Sequence, residues 1–295
     1  MTNRTIDVYT LIKPEIIKLR KSNIETANLD CRLLLSKSMN RNKTLYNHET
    51  IDISENEIKT FQDLVQERLS GKPVSRIINK RNFWKNEFKL NEQCLDPRPD
   101  SETVIDAILG EYLDKSKNLK ILDLGSGTGC LGLSLLDEYK NSLASFVDIS
   151  KKSLEIVKIN ALKLGLSKRS KFINLDWKDV DWDIKLMKIE DRIKFDIIIS
   201  NPPYISTEDI KNLQKEVKNY DPYIALNGGK DGLDAFKCII PKLKKILKKD
   251  GKVFFEIGKG QEYFVSKKAI EEGFHPTAYK KDLSGVIRVI VFIFK

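Results

Sequence analysis

The chain has 295 residues, of which 41% are hydrophobic and 32% are charged, and its formal net charge is +10 at pH 7. This composition is typical of a folded globular protein and argues against a disordered chain, and the length predicts one large domain with a smaller one. No apolar run approaches the roughly 20 residues of a membrane-spanning helix, so we expect a protein that does not enter a membrane.

The N-terminal residues MTNRTIDVYTLIKPEIIKLRKS predict an amphipathic helix and not a signal peptide. Asp7 and Glu15 interrupt the apolar positions, and no small-residue cleavage site follows. We therefore expect a cytoplasmic protein.

The region 1–73 is predicted to be a small helical domain, because residues 1–70 carry helical periodicity and no convincing strand. A second helix is predicted from Leu29, and a third begins at Ser54, whose spacing to Glu57 matches a capping box. Gly71 and Pro73 end the third helix. The apolar face of the first helix is predicted to carry Tyr9, Ile12, Ile16, Ile17 and Leu19.

The region 74–95 is predicted to be a β-hairpin linker, and 96–295 an α/β domain. RIINKRNFWKNEFKL suggests two short extended segments around a polar turn. Beyond it, apolar runs alternate mainly with helical segments, which indicates a mostly parallel sheet with both faces covered. The last two runs leave no room for a crossover helix and predict an antiparallel hairpin at the sheet edge. The seven predicted strands lie in NLKILDLGSGTG, SLASFVDIS, SKFINLDW, KFDIIISNPPY, GKVFFEIG, FHPTAYKK and GVIRVIVFIFK.

Metal chemistry is disfavoured by the residues that could bind a metal. The four cysteines form no CxxC pair, and the chain has two histidines. This pattern indicates neither a zinc site nor a disulfide framework, so we predict no metal. The net charge of +10 leaves two interpretations open, a phosphate-bearing partner or a compositional bias toward lysine, because the lysines are spread along helical faces.

A glycine-rich segment follows the first strand of the predicted sheet. ILDLGSGTGC places Asp123 at the strand end, followed by Gly125, Gly127 and Gly129. Ligands of a doubly wound sheet bind at this edge, where glycines let main-chain amides approach them. The dinucleotide fingerprint GxGxxG fails, because Cys130 stands at its third glycine. Strand-to-helix turns also need glycines for purely steric reasons. The segment alone therefore does not decide between a ligand-binding loop and an ordinary turn. We call residues 125–129 the glycine loop.

Acidic residues end the next two strands. Asp148 lies about 20 residues beyond the glycine loop, where a carboxylate can accept both hydroxyls of a ribose. Ser150 is the better helix cap, which would leave Asp148 free. Asp176 and Trp177 end the third strand, where an acceptor and an aromatic face can hold an adenine ring, although a lone tryptophan is also common in plain packing.

The fourth strand ends in Asn201, Pro202, Pro203 and Tyr204, which we call the Asn-Pro-Pro-Tyr turn. Proline fixes φ and lacks an N–H, so the turn is stiff, and its carbonyls and the Asn201 side-chain oxygen are acceptors that can face the open edge. A planar NH₂ group has two donors, which two fixed acceptors would satisfy. We predict that Tyr204 stacks on such a flat group.

With these motifs, the chain resembles the class I S-adenosylmethionine-dependent methyltransferases and is most similar to the HemK/PrmC family of release-factor glutamine methyltransferases. The resemblance extends over nearly the whole chain, through GKPVSRIINKRNFWKNEFKL, PRPDSE at 97–102, DLGSGTG, SNPPYI and ALNGGKDGLDAF at 225–236. It implies a Rossmann-like methyltransferase sheet preceded by a helical domain that helps recognise the substrate protein. Three positions depart from the family pattern: Asp96, Ser101 and Asp221.

The resemblance also implies a cofactor and a substrate. S-adenosylmethionine would be held by the glycine loop with Ser126 and Thr128, by Asp123 and Asp148, by Asp176 and Trp177, and by Asn201. The Asn-Pro-Pro-Tyr turn would bind the glutamine of a Gly-Gly-Gln loop in peptide-chain release factors. We expect a monomer that does not require nucleic acid. Two alternatives stay open: methylation of an exocyclic amino group in RNA or DNA, and a non-enzymatic ribosome- or RNA-binding module with a vestigial cofactor fold.

Overall fold

The computed structural model describes residues 3–294. Two compact units form, one reaching up to Lys80 and including Gln214–Tyr220, the other comprising Arg81–Leu213 and the chain from Asp221 onward. In chain order the helices and strands are β1 (Asn3–Asp7), α1 (Val8–Lys21), α2 (Ala27–Ser38), β2 (Thr50–Ser54), α3 (Glu55–Leu69), α4 (Val74–Ile78), β3 (Lys80–Phe83), β4 (Asn86–Lys89), α5 (Glu102–Glu111), β5 (Lys120–Leu124), α6 (Cys130–Glu138), β6 (Leu143–Asp148), α7 (Lys151–Lys163), β7 (Ser170–Asn174), α8 (Trp182–Ile189), β8 (Phe195–Ser200), α9 (Lys215–Tyr220), α10 (Tyr223–Leu226), α11 (Asp234–Ile239), α12 (Leu243–Ile246), β9 (Leu247–Glu256), α13 (Glu262–Glu271), β10 (Phe274–Lys281) and β11 (Ile287–Phe294).

The first unit contains the three predicted helices, α1 to α3. The capping box is confirmed, since the Ser54 hydroxyl accepts from the Glu57 amide and the Glu57 carboxylate accepts from the Ser54 amide. The predicted apolar face of α1 is partly wrong, because Tyr9 is 43% and Ile17 48% exposed. The buried face instead includes Val8, together with Ile12, Ile16 and Leu19.

The prediction that residues 1–70 contain no strand is wrong. β1 and β2 form an antiparallel pair in which Ile6 lies opposite Ile51. In β2 the buried side chains Ile51 and Ile53 alternate with exposed Thr50 and Asp52, which is the period of a strand. Each strand has five residues, so this alternation is too short to stand out beside the longer helical pattern.

Helix α9 clusters with the first unit although it lies within the predicted domain 96–295. The buried guanidinium of Arg68 donates to Asp30 at 2.8 Å and to Glu216 of α9 at 2.6 Å. A buried cation needs such partners. The division between Lys80 and Arg81 falls inside the segment predicted as a linker, where β3 and β4 form the expected hairpin.

The second unit is built on a seven-stranded sheet with the order β10-β11-β9-β8-β5-β6-β7. The five strands β5 to β9 run parallel to one another, whereas β11 runs antiparallel to β9 and β10 antiparallel to β11. This arrangement confirms the predicted mostly parallel sheet with an antiparallel C-terminal pair. Every helix within residues 3–294 is too short or too polar to cross a membrane.

Both faces of this sheet are buried. Alternate residues of β8 face opposite sides, with Ile197 and Ile199 in one apolar cluster and Ile198 in the other. The first cluster includes residues of α5, α6 and α7, and the second includes residues of α11, α12 and α13. Strands buried on both faces are continuous apolar runs, which is why the sequence pattern was informative.

The strand order reverses between β5 and β8, which are neighbours in the sheet. The chain continues from β5 through β6 to β7 on one side and from β8 to β9 on the other. At such a switch point the loops that follow the two central strands separate and leave a crevice at the carboxyl edge. The glycine loop follows β5 and the Asn-Pro-Pro-Tyr turn follows β8, so the topology places both motifs at this crevice.

Candidate active site

The glycine loop adopts a conformation that other residues rarely take. Gly125, Gly127 and Gly129 have positive φ values of 76°, 55° and 78°. The amides of Gly125 and Ser126 both donate to the Val147 carbonyl of β6, at 2.8 and 3.1 Å. A Cβ atom at Gly129 would lie 2.7 Å from Val157 Cγ1. The loop therefore needs glycine for its main-chain conformation and, at Gly129, for packing.

Asp148 is not free, contrary to the sequence prediction. Its Oδ2 accepts from the Gly127 amide at 2.9 Å and its Oδ1 from the Ser150 amide at 2.8 Å. Burial raises the pKa of Asp148, and these two amides lower it. Ser150 caps α7 as predicted, since its hydroxyl accepts from the Ser153 amide. Each carboxylate oxygen of Asp148 has further acceptor capacity, so the residue can still bind two ligand hydroxyls.

Asp123 lies beneath the glycine loop, with 1% of its surface exposed. Its Oδ2 accepts from the Gly132 amide in the first turn of α6 at 3.0 Å. Burial raises the pKa of its carboxyl to about 7. The residue does not line the cleft described below, so its observed contacts hold the end of β5 against α6.

Trp177 and Asp176 follow β7 and occupy different places. The Trp177 ring forms a wall beside the glycine loop, and a Cβ atom at Gly125 would lie 2.9 Å from it. Asp176 Oδ1 accepts from the Lys178 amide at 2.8 Å, and Asp176 lines an adjoining cleft that shares Trp177 and Pro203 with the main one.

The Asn-Pro-Pro-Tyr turn is held by side chains from distant segments. Asn201 Nδ2 donates to the Ser101 hydroxyl at 3.3 Å, which leaves the amide oxygen as the group available to a ligand. The Tyr204 carbonyl accepts from Gln261 Nε2 at 2.9 Å, and the Tyr204 hydroxyl donates to Glu256 Oε1 at 3.3 Å. The ring of Tyr204 packs against the core and does not line the cleft, so its stacking on a substrate stays a prediction.

The glycine loop and the turn line the same cleft at the carboxyl edge of the sheet. Asp123, Gly129, Asp176, Pro202 and Tyr204 do not line this cleft, and Pro202 is buried. The predicted residues that line it are Gly125, Ser126, Gly127, Thr128, Asp148, Trp177, Asn201 and Pro203.

The sequence prediction did not assign roles to several residues that complete the site. Arg98 and Ser101 line the cleft, and Arg98 forms a short ion pair with Asp221. The Asp96 amide donates to the same Asp221 at 3.3 Å, so two of the three departures from the family pattern are in contact.

Glu256, which accepts from the Tyr204 hydroxyl, was also given no role by the sequence prediction. A carboxyl group inside the apolar run VFFEI is the sequence feature that could have identified it. Within residues 3–294, no cluster of three or more His, Cys, Asp or Glu side chains is arranged to hold a metal.

Comparison with known proteins gives two family matches along the chain. Residues 16–78 match the PrmC N-terminal domain, and residues 101–219 match the methyltransferase small domain. The release factor glutamine methyltransferase of Clostridium acetobutylicum is 34% identical over 96% of this chain and 98% of its own length. That of Bradyrhizobium diazoefficiens is 34% identical over 92% of this chain and 90% of its own length.

The chain belongs to the release factor glutamine methyltransferase family. It is therefore a methyltransferase, as the sequence resemblance implied. A bifunctional methyltransferase of Rickettsia felis is 34% identical over 93% of this chain, which spans 56% of that longer protein. Family membership accounts for the pairing of a helical N-terminal region with a methyltransferase sheet in one chain.

Proposed function

We propose that the protein transfers a methyl group from S-adenosylmethionine to the side-chain amide nitrogen, N5, of a glutamine in a peptide-chain release factor. One observation carries the proposal. The glycine loop and the Asn-Pro-Pro-Tyr turn line a single cleft at the switch point of the sheet. The relatives named for release factor glutamine methylation support the choice of substrate.

The cleft fits S-adenosylmethionine by its chemistry. Asp148 offers two carboxylate oxygens to ribose hydroxyls, and Trp177 offers an aromatic wall for adenine. The main chain of the glycine loop lines the same cleft, where a cofactor can approach it closely. When bound, the cofactor supplies an electrophilic methyl group on a sulfonium sulfur.

The protein's main task in this reaction is to align the glutamine amide. The amide lone pair is delocalised into the carbonyl group, so nitrogen is a weak nucleophile. Acceptors for both N–H bonds favour the charge that develops on nitrogen in the transition state. Asn201 supplies one acceptor and the carbonyls of the turn can supply the other. Alignment alone can contribute on the order of 7 to 11 kcal/mol in ideal cases.

No strong base is required for this chemistry, because the amide proton becomes acidic once nitrogen is alkylated. Neither of the two histidines, His48 and His275, lines the cleft. We assign the catalytic role to Asn201, Pro202, Pro203 and Tyr204 as a binding and orienting turn. A release factor substrate also implies a cytoplasmic location and a role in translation termination.

An exocyclic amino group of RNA or DNA presents the same flat NH₂, and the net charge of +10 is compatible with a phosphate-bearing substrate. The turn by itself does not separate the two substrates. The match to the PrmC N-terminal domain over residues 16–78 favours the release factor.

The test is methylation of a purified release factor, with S-adenosylmethionine carrying a labelled methyl group. We expect mass spectrometry to find one added methyl group on the glutamine of the Gly-Gly-Gln loop. A release factor with that glutamine replaced by asparagine is the matched control and should take up no label. Label in RNA or DNA from a cell lysate, with none in the release factor, would overturn the proposal.

A further inference from the structure

The segments that lead into or begin the five parallel strands are rich in basic residues. They are residues 112–120, 139–143, 164–171, 190–195 and 247–252. Because parallel strands all start at one edge of a sheet, these segments lie together at its amino edge, opposite the cleft. Their twelve basic residues, which we call the amino-edge patch, are Lys115, Lys117, Lys120, Lys140, Lys168, Arg169, Lys171, Arg192, Lys194, Lys248, Lys249 and Lys252. Four acidic residues lie among them: Asp114, Glu190, Asp191 and Asp250.

The segments that leave the same strands at the carboxyl edge have the opposite balance of charge. Residues 125–129, 149–150, 175–181, 201–213 and 257–261 contain three basic and five acidic residues. A compositional bias toward lysine would place basic residues at both edges alike. The asymmetry therefore favours the other interpretation of the net charge of +10, a phosphate-bearing partner.

Half of the amino-edge patch is free to bind a ligand. Within residues 3–294, six of its members form neither an ion pair nor a side-chain hydrogen bond: Lys117, Lys120, Lys168, Arg192, Lys194 and Lys249. Lys120 is half-buried and the other five are exposed. By contrast, Lys171 pairs with Glu190 at 3.4 Å, and Lys248 pairs with Asp196 at 2.7 Å.

Helix ends do not account for these free cations. Basic residues at a helix C-terminus offset the negative end of the helix dipole, but this effect falls off within the last turn. Lys117 follows the end of α5 by six residues, and Lys168 follows the end of α7 by five. Both lysines therefore lie beyond the turns that they could stabilise in this way.

The chemistry of the patch fits a phosphate backbone better than a protein surface. Lysine is depleted at protein–protein interfaces, whereas lysines that neutralise phosphates gain free energy from the release of counterions. Five neighbouring strands at a spacing of about 4.8 Å make a row of roughly 19 Å, which a chain of regularly spaced phosphates can follow. Within this row, one surface groove is lined by Lys120, Lys168, Arg169 and Lys171.

We propose that the amino-edge patch binds the phosphate backbone of RNA. The choice of RNA rests on the proposed function, because a release factor acts in translation, where RNA is the abundant polyanion. Strands β5, β6 and β8 have five or six residues and span roughly 16 to 20 Å, so RNA bound here lies at the other edge of the sheet from the cleft. The RNA is therefore a docking partner and not the methyl acceptor.

The test measures binding of a fluorescent single-stranded oligouridine of about 20 nucleotides by anisotropy, between about 50 and 200 mM salt. Oligouridine has little base stacking, so it probes the contact to the backbone. We expect the double variant Lys168→Glu, Lys194→Glu to weaken binding by about tenfold or more. The slope of log K against log salt should become shallower by about 1.4, because two phosphate contacts are lost at about 0.7 each.

The matched control is the double variant Lys267→Glu, Lys281→Glu, at exposed lysines of α13 and β10. It changes the net charge by the same amount away from the amino edge, and we expect it to weaken binding by less than about threefold. Both double variants should methylate the isolated release factor at the wild-type rate, which also shows that they are folded.

A milder variant keeps the test decisive if the charge reversal at Lys168 and Lys194 prevents folding. Lys117→Ala with Lys249→Ala removes two exposed cations of the patch, and we expect a loss of about threefold or more with a shallower salt slope. An unchanged affinity in this variant would contradict the proposal.

Three further results would overturn the inference. They are no binding of oligouridine by the wild type at about 50 mM salt, equal losses in the amino-edge and control double variants, and competition by polyglutamate as strong as that by unlabelled oligouridine. The last result would indicate an acidic protein as the partner. Wild-type protein that binds oligouridine but methylates no release factor would instead refute the proposed function, so the two failures are distinguishable.

Discussion

The two halves of the cleft are stabilised in different ways. The glycine loop keeps its shape through its own main chain and the adjacent strand β6, by the amide contacts to Val147 and Asp148. The Asn-Pro-Pro-Tyr turn depends on side chains far away in the sequence, from Ser101 before α5 to Gln261 before α13. The half that we propose binds the cofactor is therefore built locally, whereas the geometry of the half that we propose binds the substrate is supplied by the rest of the fold.

The sharpest test of this division is Asn201→Ala. We expect kcat to fall by about a hundredfold or more, because the variant removes the acceptor that we propose acts in the transition state. Binding of S-adenosylmethionine, measured by calorimetry, should change little, since the glycine loop is unaffected. Asn141→Ala, at an exposed asparagine outside the cleft, is the control. Full activity in Asn201→Ala would show that the turn does not orient the substrate.

Substitutions in the glycine loop should weaken cofactor binding, the property that Asn201→Ala is expected to leave nearly unchanged. In Gly129→Ala the new Cβ would lie 2.7 Å from Val157, and we expect cofactor binding to weaken by about tenfold or more. Gly127→Ala is the matched variant, because φ is also positive there and no atom lies within 4 Å of the added Cβ. It should lose less, because it carries the strain of a left-handed residue without the overlap with Val157. Equal losses in calorimetry would mean that packing against α7 is unimportant.

Gln261 tests whether remote support of the turn matters. Gln261→Ala removes the donor to the Tyr204 carbonyl, and we expect kcat to fall by about three- to tenfold, since a hydrogen bond contributes about 1 kcal/mol. Gln261→Glu keeps the shape and the acceptor for the Gly258 amide but also lacks the donor, so it should be impaired too. If steady-state kinetics show full kcat in both variants, the turn keeps its conformation without the hydrogen bond from Gln261.

Asp123 should have the smallest effect on kcat, and its substitution should act on stability. Its pKa in the folded protein is about 7, well above the ordinary aspartate value of 3.8, so folding favours the protonated form. The stabilisation is complete at pH values below about 4 and is lost as the pH rises through 7. Between about pH 5 and pH 8, the free energy of unfolding of Asp123→Asn in urea should therefore fall by about 2 to 3 kcal/mol less than that of the wild type. If the free energies of unfolding of the wild type and Asp123→Asn change with pH in the same way, Asp123 does not titrate in this range.

Much of the fold was predictable because buried parallel strands are continuous apolar runs. The seven strands of the sheet and their antiparallel end were recognised from this pattern. The pair of β1 and β2 was missed, because each strand has five residues and its register depends on a partner about 47 positions away. The inclusion of α9 in the first unit was also outside the reach of local patterns, since it depends on the buried contact between Arg68 and Glu216.

The candidate site was predictable where a residue's place directly after a parallel strand determines that it lies at the carboxyl edge of the sheet. Residues 125–128 of the glycine loop, Asp148 and Asn201 line the cleft as their positions after parallel strands indicated. The bonds that orient them were not predictable: Asp148 is engaged by two amides, and Tyr204 is turned toward Glu256 instead of the cleft. These contacts join positions that only the folded chain brings together.

The central claim is that acceptors of the Asn-Pro-Pro-Tyr turn hold a flat NH₂ group opposite the methyl donor. A crystal structure with S-adenosylhomocysteine and a Gly-Gly-Gln peptide measures this most directly. The account predicts that the glutamine nitrogen lies within hydrogen-bonding distance of Asn201 Oδ1 and a carbonyl of the turn, facing the sulfur of the cofactor product. A glutamine amide bound elsewhere, or a turn directed away from that sulfur, would contradict it.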